Sequence, residues 1–581
     1  MRKLALVLLL LFAPAVVSAT DIACGRDTDA NGTVDSFCAD TDSDRDGYPA
    51  SQDCDDNDWT IFPSGTKLEN VTTKGCTNGW RVCKADGTYT ACKTHSAEPY
   101  CPSQCLHCFY FDKVNGNDAN TGTYFSPWKT YDKFNTFWDS TPAGTHSISA
   151  GDCFLGMNGT YNETHVYSGN TNGLLWRGVN GNSTNHVQLL AYPGQTPTIT
   201  MGTRAAPERP LHIMQASYID VDGIRITGSV CDVNNLTPNA GCFTIDSSSN
   251  VRVTRARVWN NDGIRNNNTG GFVINGDLVS IENSYIVDNY DHTIDGINNA
   301  GITFFRGSGN QVLNSIVGYT VAGHGDCLKE KHADNSGSYE KRLILTNNVV
   351  FNCITHINTA TSILASKNYF FGPGGINFAD IGGPTNHRQN SIVELNTFEN
   401  TDGIRIAPSK EYNDSGTACS SCGSIGTFTV RQNVMINTTS GFASDGGQYA
   451  VCHYGSEGYY TDLIGGSKIL FQDNCVYLPN TTFAATIFAS NPANNECPPG
   501  SSGAAPSGTR YTSTAAWQAT TLTSGEKFEN PVLNGSKQAT SNNCKLWGWS
   551  VSSGGGSGSP APYTPRPGKK SGTKGKEKDI K

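Results

Sequence analysis

A short pattern that recurs along the middle of the chain constrains the fold more than any other feature. It reads apolar, two residues, a small polar residue, one residue, apolar, and it begins at eight positions: Val253, Ile281, Val312, Leu345, Ala365, Val393, Val430 and Phe471. The starting positions lie 28, 31, 33, 20, 28, 37 and 41 residues apart. That spacing is too irregular for a helical repeat. It favours stacked coils of one architecture that carry loops of different lengths.

The polar residue at the centre of each repeat predicts how the coils stack. In the last five repeats it is an asparagine: Asn348, Asn368, Asn396, Asn433 and Asn474. Two short strands flank it, so stacked coils would place these amides above one another at one corner. There they can bond along the stack and to turn backbone groups. Apolar residues at a spacing of two then point into one continuous core. The pattern predicts a single-chain parallel β-solenoid.

The repeat, together with the segment VNGNDANTGTYFSPWKTYDKF at residues 114–134, resembles the right-handed parallel β-helix proteins of the pectin lyase-like superfamily. The resemblance covers about residues 109–550. It implies an all-β fold, a right-handed parallel β-helix. It does not fix the function, because that superfamily includes polysaccharide lyases, glycoside hydrolases, epimerases and non-catalytic adhesins.

The two ends indicate where the chain works. Residues 1–19 read as a secretory signal peptide with cleavage after Ala19, which makes most of the 20 cysteines candidates for disulfides. Residues 551–581 are a Gly/Ser/Pro linker and a Lys-rich tail, expected to be disordered. We expect a secreted monomer, extracellular or at the cell surface, without a transmembrane segment after signal removal. The net charge of −9 argues against a nucleic-acid partner.

Residues 20–63 predict a calcium site. Residues 20–60 hold twelve Asp and two basic residues. So many carboxylates in a short segment repel one another unless cations are bound. One twelve-residue loop has calcium-loop spacing, and a second, incomplete loop begins the same pattern. The first loop would use Asp42, Asp44, Asp46, Asp53 and the carbonyl of Tyr48, and the second Asp27, Asp29 and Asn31. The stretch DRDGYPASQDCDDNDWTIFPSG resembles a metal-binding repeat of secreted bacterial proteins.

Residues 64–108 form a small cysteine-rich module, in which GWRVCKADGTYTAC resembles a module that often accompanies that repeat. Cys101, Cys105 and Cys108 fit disulfides better than zinc in an exported chain. Farther along, Cys327 with Cys353 and Cys452 with Cys475 are about one coil apart, and Cys231 is close in sequence to Cys242. We expect these three pairs to be bridged. The fold expected overall is a parallel β-helix preceded by a small disulfide-rich, calcium-binding region.

The resemblance places an active groove on the strand just before each repeat. Aligning the inward apolar positions of those strands gives an outward polar column, which we expect to be exposed. The column comprises Thr303, Lys329, Asn358, Asn377 and Arg405, with Lys331 farther along its strand. His324, Asp326, His356 and Asp402 lie at the entrances of these strands, and Asp295 lies in a loop before them.

Three functions suit this column. A lyase that cleaves an acidic polysaccharide by β-elimination needs a base, a positive group for the uronate carboxylate and a donor for the leaving oxygen. Lys329 or Lys331 could be the base, Arg405 the clamp, and His324 or His356 the donor. The segment GHGDCLKEKHADN resembles the lysine-bearing strand of alginate and chondroitin lyases, with Lys331 at the catalytic lysine's place.

The alternatives are non-catalytic and hydrolytic. A glycan-binding adhesin or surface protein would use the same column without turnover. A glycoside hydrolase is suggested by the residues Asn-Thr-Asp-Gly at 400–403, a motif of polygalacturonases, and by Asp326 before Cys327. Hydrolysis by two carboxylates needs both, and Gly325 stands where the second Asp is required. We therefore rank the lyase above the hydrolase, and non-catalytic glycan binding nearly equal to the lyase.

Overall fold

The structure is a computed structural model. It describes residues 54–55, 71–84, 86–136, 146–167, 170–201, 208–231, 241–262, 270–290, 299–321, 324–330, 343–359, 362–379, 391–401, 403–407, 427–436, 447–448, 451–453, 469–477, 482–483, 485–490, 507–511 and 523–524. No helix among these residues is long and apolar enough to cross a membrane.

The chain winds through three stacks of parallel strands, named sheets A, B and C in the order in which each coil visits them, and the long strand Gly241–Thr254 joins A to B. Sheet A contains Asn170–Arg177, Glu208–Met214, the first half of Gly241–Thr254, Gly270–Asp277, Ala300–Arg306, Asp326–Glu330, Thr355–Thr359, Gly375–Ala379, Gly403–Ala407, Val451–His453 and Ala485–Ser490. Sheet B contains His107–Phe111, Asp152–Gly156, Val187–Ala191, Ser217–Asp222, the second half of Gly241–Thr254, Ser280–Glu282, Gln311–Leu313, Leu343–Thr346, Ile363–Ser366, Ser391–Glu394, Phe428–Arg431, Ile469–Gln472 and Thr523–Ser524. Sheet C contains Gly159–Tyr161, Pro197–Ile199, Arg225–Thr227, Arg257–Asn261, Tyr285–Asn289, Ile316–Gly318, Val349–Phe351, Tyr369–Phe371, Thr397–Glu399, Val434–Ile436 and Cys475–Tyr477.

Short elements complete the described fold. His165–Tyr167 and Ser507–Tyr511 add antiparallel strands to sheet A. Gly447–Gln448 pairs with Thr482–Phe483, and Tyr131–Lys133 is a single 3₁₀ turn.

The interior of the coils is one apolar core, as the repeat predicts. On sheet A, Ile302 pairs with Leu328 and Leu328 with Ile357, and all three side chains are buried in the same cluster. Aromatic rings also stack from coil to coil, as Phe370 does on Phe398 with ring centroids 4.8 Å apart. The predicted parallel β-helix is confirmed by this strand pairing.

The asparagine stack forms at the turn between sheets B and C. The Nδ2 atom of each ladder asparagine donates to the Oδ1 atom of the next, at 3.0, 2.9, 3.0 and 2.9 Å from Asn348 to Asn474. The same Oδ1 atoms also accept from the backbone N–H of the preceding asparagine. Ser315 and Ser284 continue the stack toward the N-terminus.

The ladder also holds a strained turn. The residue before each ladder asparagine has a positive φ although none is glycine, with values of 57, 58, 56, 53 and 56° at Asn347, Lys367, Leu395, Gln432 and Asp473. Such a conformation is unfavourable for side chains such as leucine. The side-chain amides that bond to the turn backbone offset this cost.

The cysteine-rich module packs against the first coils. Val71–Thr72, Gly79–Val82 and Lys93–Thr94 form a small antiparallel sheet, and Trp80 and Tyr100 pack with Tyr110 and Tyr192 of the β-helix. The module's disulfides join Cys54 to Cys83, Cys76 to Cys92, Cys101 to Cys108 and Cys105 to Cys153. The disulfide-rich region is thus confirmed, and disulfides rather than zinc engage the cysteines at 101–108.

Two of the three bridges predicted in the β-helix are present, Cys327–Cys353 and Cys231–Cys242. Cys475 is disulfide-bonded, but the side chain of Cys452 is outside the described part of the chain. That pairing stays a prediction.

Candidate functional site

The outward column of sheet A has the predicted register. Thr303 pairs with Lys329, Lys329 with Asn358, Asn358 with Asn377, and Asn377 with Arg405. The prediction that the column is exposed is wrong, because Thr303 is 0% and Lys329 3% exposed, while Asn358 and Asn377 are half-buried. Lys329 is buried because its ammonium turns back to a carboxylate on its own strand instead of extending into water.

That carboxylate belongs to Asp326 and anchors a polar network. The Lys329 ammonium lies 3.3 Å from Asp326 Oδ2, and Asn358 Nδ2 donates to the same oxygen at 3.1 Å. Asn377 Nδ2 reaches Asn358 Oδ1 at 3.5 Å. Burial raises the pKa of Asp326, and the neighbouring Lys329 and Asn358 oppose that shift. A buried carboxylate and ammonium are thus brought together at the middle of the column.

Several buried polar atoms around this pair make no hydrogen bond within the protein. They are Oγ1 of Thr303, Oδ1 of Asn377, and both amide atoms of Asn299, which is 0% exposed. An unpaired buried polar atom costs about 1–3 kcal/mol, so such atoms need an explanation. Thr303 and Asn299 have no exposed surface, so their polar atoms are part of the packed interior and not of a surface that a ligand could reach.

The turn into the Asp326 strand leaves no room for a second acidic residue. Gly325 has a φ of +149°, and a Cβ atom there would lie 2.4 Å from Asn299 Oδ1 and 2.7 Å from the Asn299 carbonyl. A side chain at this position would collide with backbone. The glycine that interrupts the polygalacturonase-like motif is therefore required by the packing.

Two aromatic rings stand beside the network. Tyr290 and His324 stack with centroids 4.2 Å apart and planes 16° from parallel, and both are half-buried. The hydroxyl of Tyr319 donates to the Asp326 carbonyl at 3.2 Å. Asp288 accepts from the Thr320 N–H at 2.7 Å and from its hydroxyl at 2.9 Å, which ties this loop to the previous coil. Rings of this kind offer an apolar face to a sugar ring.

His356 does not belong to the site, and the prediction that it acts at the entrance is wrong. Its side chain is 0% exposed and stacks on the core residue Phe370, with centroids 5.6 Å apart. Burial lowers the pKa of His356 to about 3. A neutral imidazole inside the core cannot protonate a leaving group at the surface.

Burial of His356 predicts a pH effect on stability. Because its folded-state pKa of about 3 lies below the ordinary value of 6.5, its contribution is fully present above pH 6.5 and is lost as pH falls toward 3. The loss amounts to about 1.4 kcal/mol per pH unit. Urea unfolding at pH 7.5 and 4.5 should show that wild-type protein loses about 2.5 kcal/mol more than His356→Phe. Equal losses in the two proteins would contradict the burial of a neutral imidazole.

Several predicted site residues lie outside the described residues: Lys331, Asp295 and Asp402 of the groove, and Asp27, Asp29, Asn31, Asp42, Asp44, Asp46, Tyr48 and Asp53 of the calcium loops. Within the part that the structure describes, no group of three or more His, Cys, Asp or Glu side chains could hold a metal ion.

Sequence reasoning missed Tyr290 and Asn299. Both lie in the loop before the Thr303 strand, and neither shows a repeat or charge signal. Their contacts reach the next coil, so only a position-by-position alignment of the loops at the entrances to sheet A could have found them.

Comparison with solved structures finds a pectate lyase, with 13% sequence identity, coverage of 60% of this chain and 77% of that chain, and a TM-score of 0.40. A rhamnogalacturonan lyase has 17% identity, coverage of 60% and 85%, and a TM-score of 0.41. An alginate lyase of polysaccharide lyase family 6 has 12% identity, coverage of 69% and 54%, and a TM-score of 0.32. No protein-family model and no curated protein matches the sequence.

Proposed function

We propose that the protein binds an acidic polysaccharide along the outward column of sheet A and cleaves it by β-elimination. The observation that carries the proposal is the polar network of the column, in which the half-buried Asn358 and Asn377 lie beside the Asp326–Lys329 pair. The stacked Tyr290 and His324 rings beside the pair support a sugar ligand. A polar site with an aromatic wall is suited to a carbohydrate, which has hydroxyl edges and apolar faces.

The roles follow from the chemistry of elimination. A base removes the proton on the carbon beside the uronate carboxylate, the electron pair forms a carbon–carbon double bond, and the bond to the glycosidic oxygen breaks. Lys329 donates to Asp326, so we assign it to positioning and give the base role to Lys331. Arg405 binds the uronate carboxylate, and His324 donates a proton to the leaving oxygen.

Incubation with a panel of polyuronates tests this function. Elimination produces an unsaturated sugar whose absorbance rises during the reaction, whereas hydrolysis produces none. Absence of this signal with every polymer that the protein binds would overturn the enzymatic part of the proposal.

A second candidate is non-catalytic glycan binding by an adhesin or surface protein. The ion pair between Lys329 and Asp326 favours it, because one of the two lysines that could act as the base is already paired with a carboxylate. Retention on a glycan without any unsaturated product would decide for it. We do not propose a hydrolase of polygalacturonase type, because its Asp-Asp pair would need a carboxylate at position 325, where the contact of Gly325 with Asn299 leaves no room for a side chain.

We also propose that the protein is secreted and binds calcium at the loop Asp42–Asp53. The disulfides of the described region support an oxidising compartment. Carboxylates at calcium-loop spacing are held close only with a cation between them. Titration calorimetry should detect calcium binding that Asp44→Ala weakens by at least about tenfold. Equal heats of calcium binding in the wild-type protein and Asp44→Ala would show that this loop does not bind calcium.

A further inference from the structure

We infer that the outer face of sheet C is a docking surface for the chain's own C-terminal segment, residues 525–550, and that a disulfide between Cys475 and Cys544 fixes the segment there. The covered face belongs to the same coils as the outward column of sheet A, so the docked segment braces those coils.

The outer face of sheet C carries a column of side chains that are buried although they point away from the core. The column pairs, strand by strand, Ile316, Val349, Tyr369, Thr397, Val434 and Cys475, and each of these residues is at most 6% exposed. The residues that follow Val349 and Tyr369 belong to the central core, so alternation along the strands directs the column outward. We call it the outer column of sheet C.

Packing between neighbouring side chains of one sheet does not explain this burial. The outer face of sheet B carries a comparable column in the same coils, formed by Ile344, Leu364, Ile392, Thr429 and Leu470. All five of these residues are half-buried, whereas Ile316 is 5% exposed. The outer face of a parallel sheet becomes inaccessible to water when another layer covers it. A layer of protein therefore lies over the outer column of sheet C.

The position of the buried stretch indicates where this layer comes from. Each described turn from sheet B to sheet C between Ile316 and Cys475 has two residues, so no loop enters at that edge. A cover from the opposite edge would bury Phe351 and Phe371 first, and both are half-buried. Tyr285, which precedes Ile316 in the column, is half-buried as well. The cover therefore approaches from the C-terminal end of the stack.

The chain ends its described course at that end of the stack. Ser524 pairs with Gln472 on the last rung of sheet B, three residues before Cys475. The segment that follows offers apolar side chains to the apolar column, among them Phe528, Val532, Leu533, Leu546, Trp547 and Trp549.

The segment is long enough to cover the column. Fully extended, residues 525–543 span about 63 Å. The column from Cys475 to Ile316 crosses five strand spacings, or about 24 Å. The segment can thus run along the column to Ile316 and return to the last rung at Cys544.

The disulfide state of Cys475 supports a tether at this point. Cys475 is disulfide-bonded, and six bridges pair the other cysteines whose side chains are described with one another. Residue 452, the partner expected from the sequence, lies on sheet A opposite Arg405, and the core separates that sheet from the outward-facing Cys475. The register thus argues against Cys452, whereas Cys544 lies in the segment that starts beside Cys475.

Mass mapping of non-reduced peptides from the wild-type protein tests the tether, and we expect a peptide that links Cys475 to Cys544. A link from Cys475 to any other cysteine would overturn the inference. In full-length Cys544→Ser, unfolded without reductant, iodoacetamide should label Cys475. The matched control Cys497→Ser should leave Cys475 unlabelled, and the reverse pattern would contradict the pairing.

Hydroxyl-radical footprinting tests the cover by comparing two isoleucines, Ile316 of the covered column and Ile344 of the half-buried column on sheet B. In the full chain Ile316 should be oxidised more slowly than Ile344. In a chain that ends at Ser524, Ile316 should reach the rate of Ile344, while the rate at Ile344 stays unchanged. Protection of Ile316 that persists in the shortened chain would overturn the inference, and its loss on dilution would identify a second copy as the cover. Should the shortened chain not fold, the disulfide map of the wild-type protein decides.

Discussion

Replacing Asn396 by alanine should lower the free energy of unfolding by about 4 kcal/mol. The side chain is 0% exposed. Its Oδ1 accepts from Asn368 N–H and Nδ2, and its Nδ2 donates to the Ala365 carbonyl and to Asn433 Oδ1. Alanine removes both atoms and leaves buried partners unpaired, each at a cost of about 1–3 kcal/mol.

Chemical denaturation measures the effect, with Asn115→Ala as the matched control. Asn115 is exposed and its side chain makes one hydrogen bond, to Asp112 at 3.0 Å, so its loss should cost less than about 1 kcal/mol. Similar costs at the two positions would show that the ladder does not stabilise the coils.

The second large effect concerns turnover. Lys331→Ala should reduce the rate of unsaturated-product formation about a thousandfold, since a positioned base contributes 10²–10⁴-fold. The free energy of unfolding of the Lys331→Ala protein should differ from that of wild type by no more than about 0.5 kcal/mol. Lys329→Met should behave differently, because it leaves the buried Asp326 carboxylate without its ion-pair partner. That loss should cost about 3–5 kcal/mol of stability.

Comparison of the two variants separates the base from the positioning residue. A folded Lys329→Met protein without turnover, beside a fully active Lys331→Ala protein, would reverse the assignment. If both variants keep wild-type turnover, neither lysine takes part in the mechanism.

The fold could be predicted from sequence because its determinants are local and repeated. An asparagine between two short apolar strands marks one corner of each coil, and alternation then fixes which residues face inward. The register from Thr303 to Arg405 followed from aligning those inward positions.

The site was harder to predict because it depends on contacts between coils. Alternation alone places Asp326 and Lys329 on opposite faces, yet their side chains meet because Asp326 lies at the first residue of its strand. His356 occupies the second position of its strand, where the side chain turns inward onto Phe370. Stacking of Tyr290 on His324 joins loops of neighbouring coils. No pattern within one repeat encodes these contacts.

The most direct test of the column as the functional site is retention of the triple variant Lys329→Ala, Lys331→Ala, Arg405→Ala on gels that contain the polysaccharide best bound by the wild-type protein. The proposed site predicts that retention of the triple variant falls to the level of a gel without polysaccharide. It also predicts that retention of the wild-type protein weakens as salt is added. Circular dichroism on the same samples confirms that the β-helix is folded. Unchanged retention of a folded triple variant would show that the column is only a polar sheet face and that the glycan binds elsewhere.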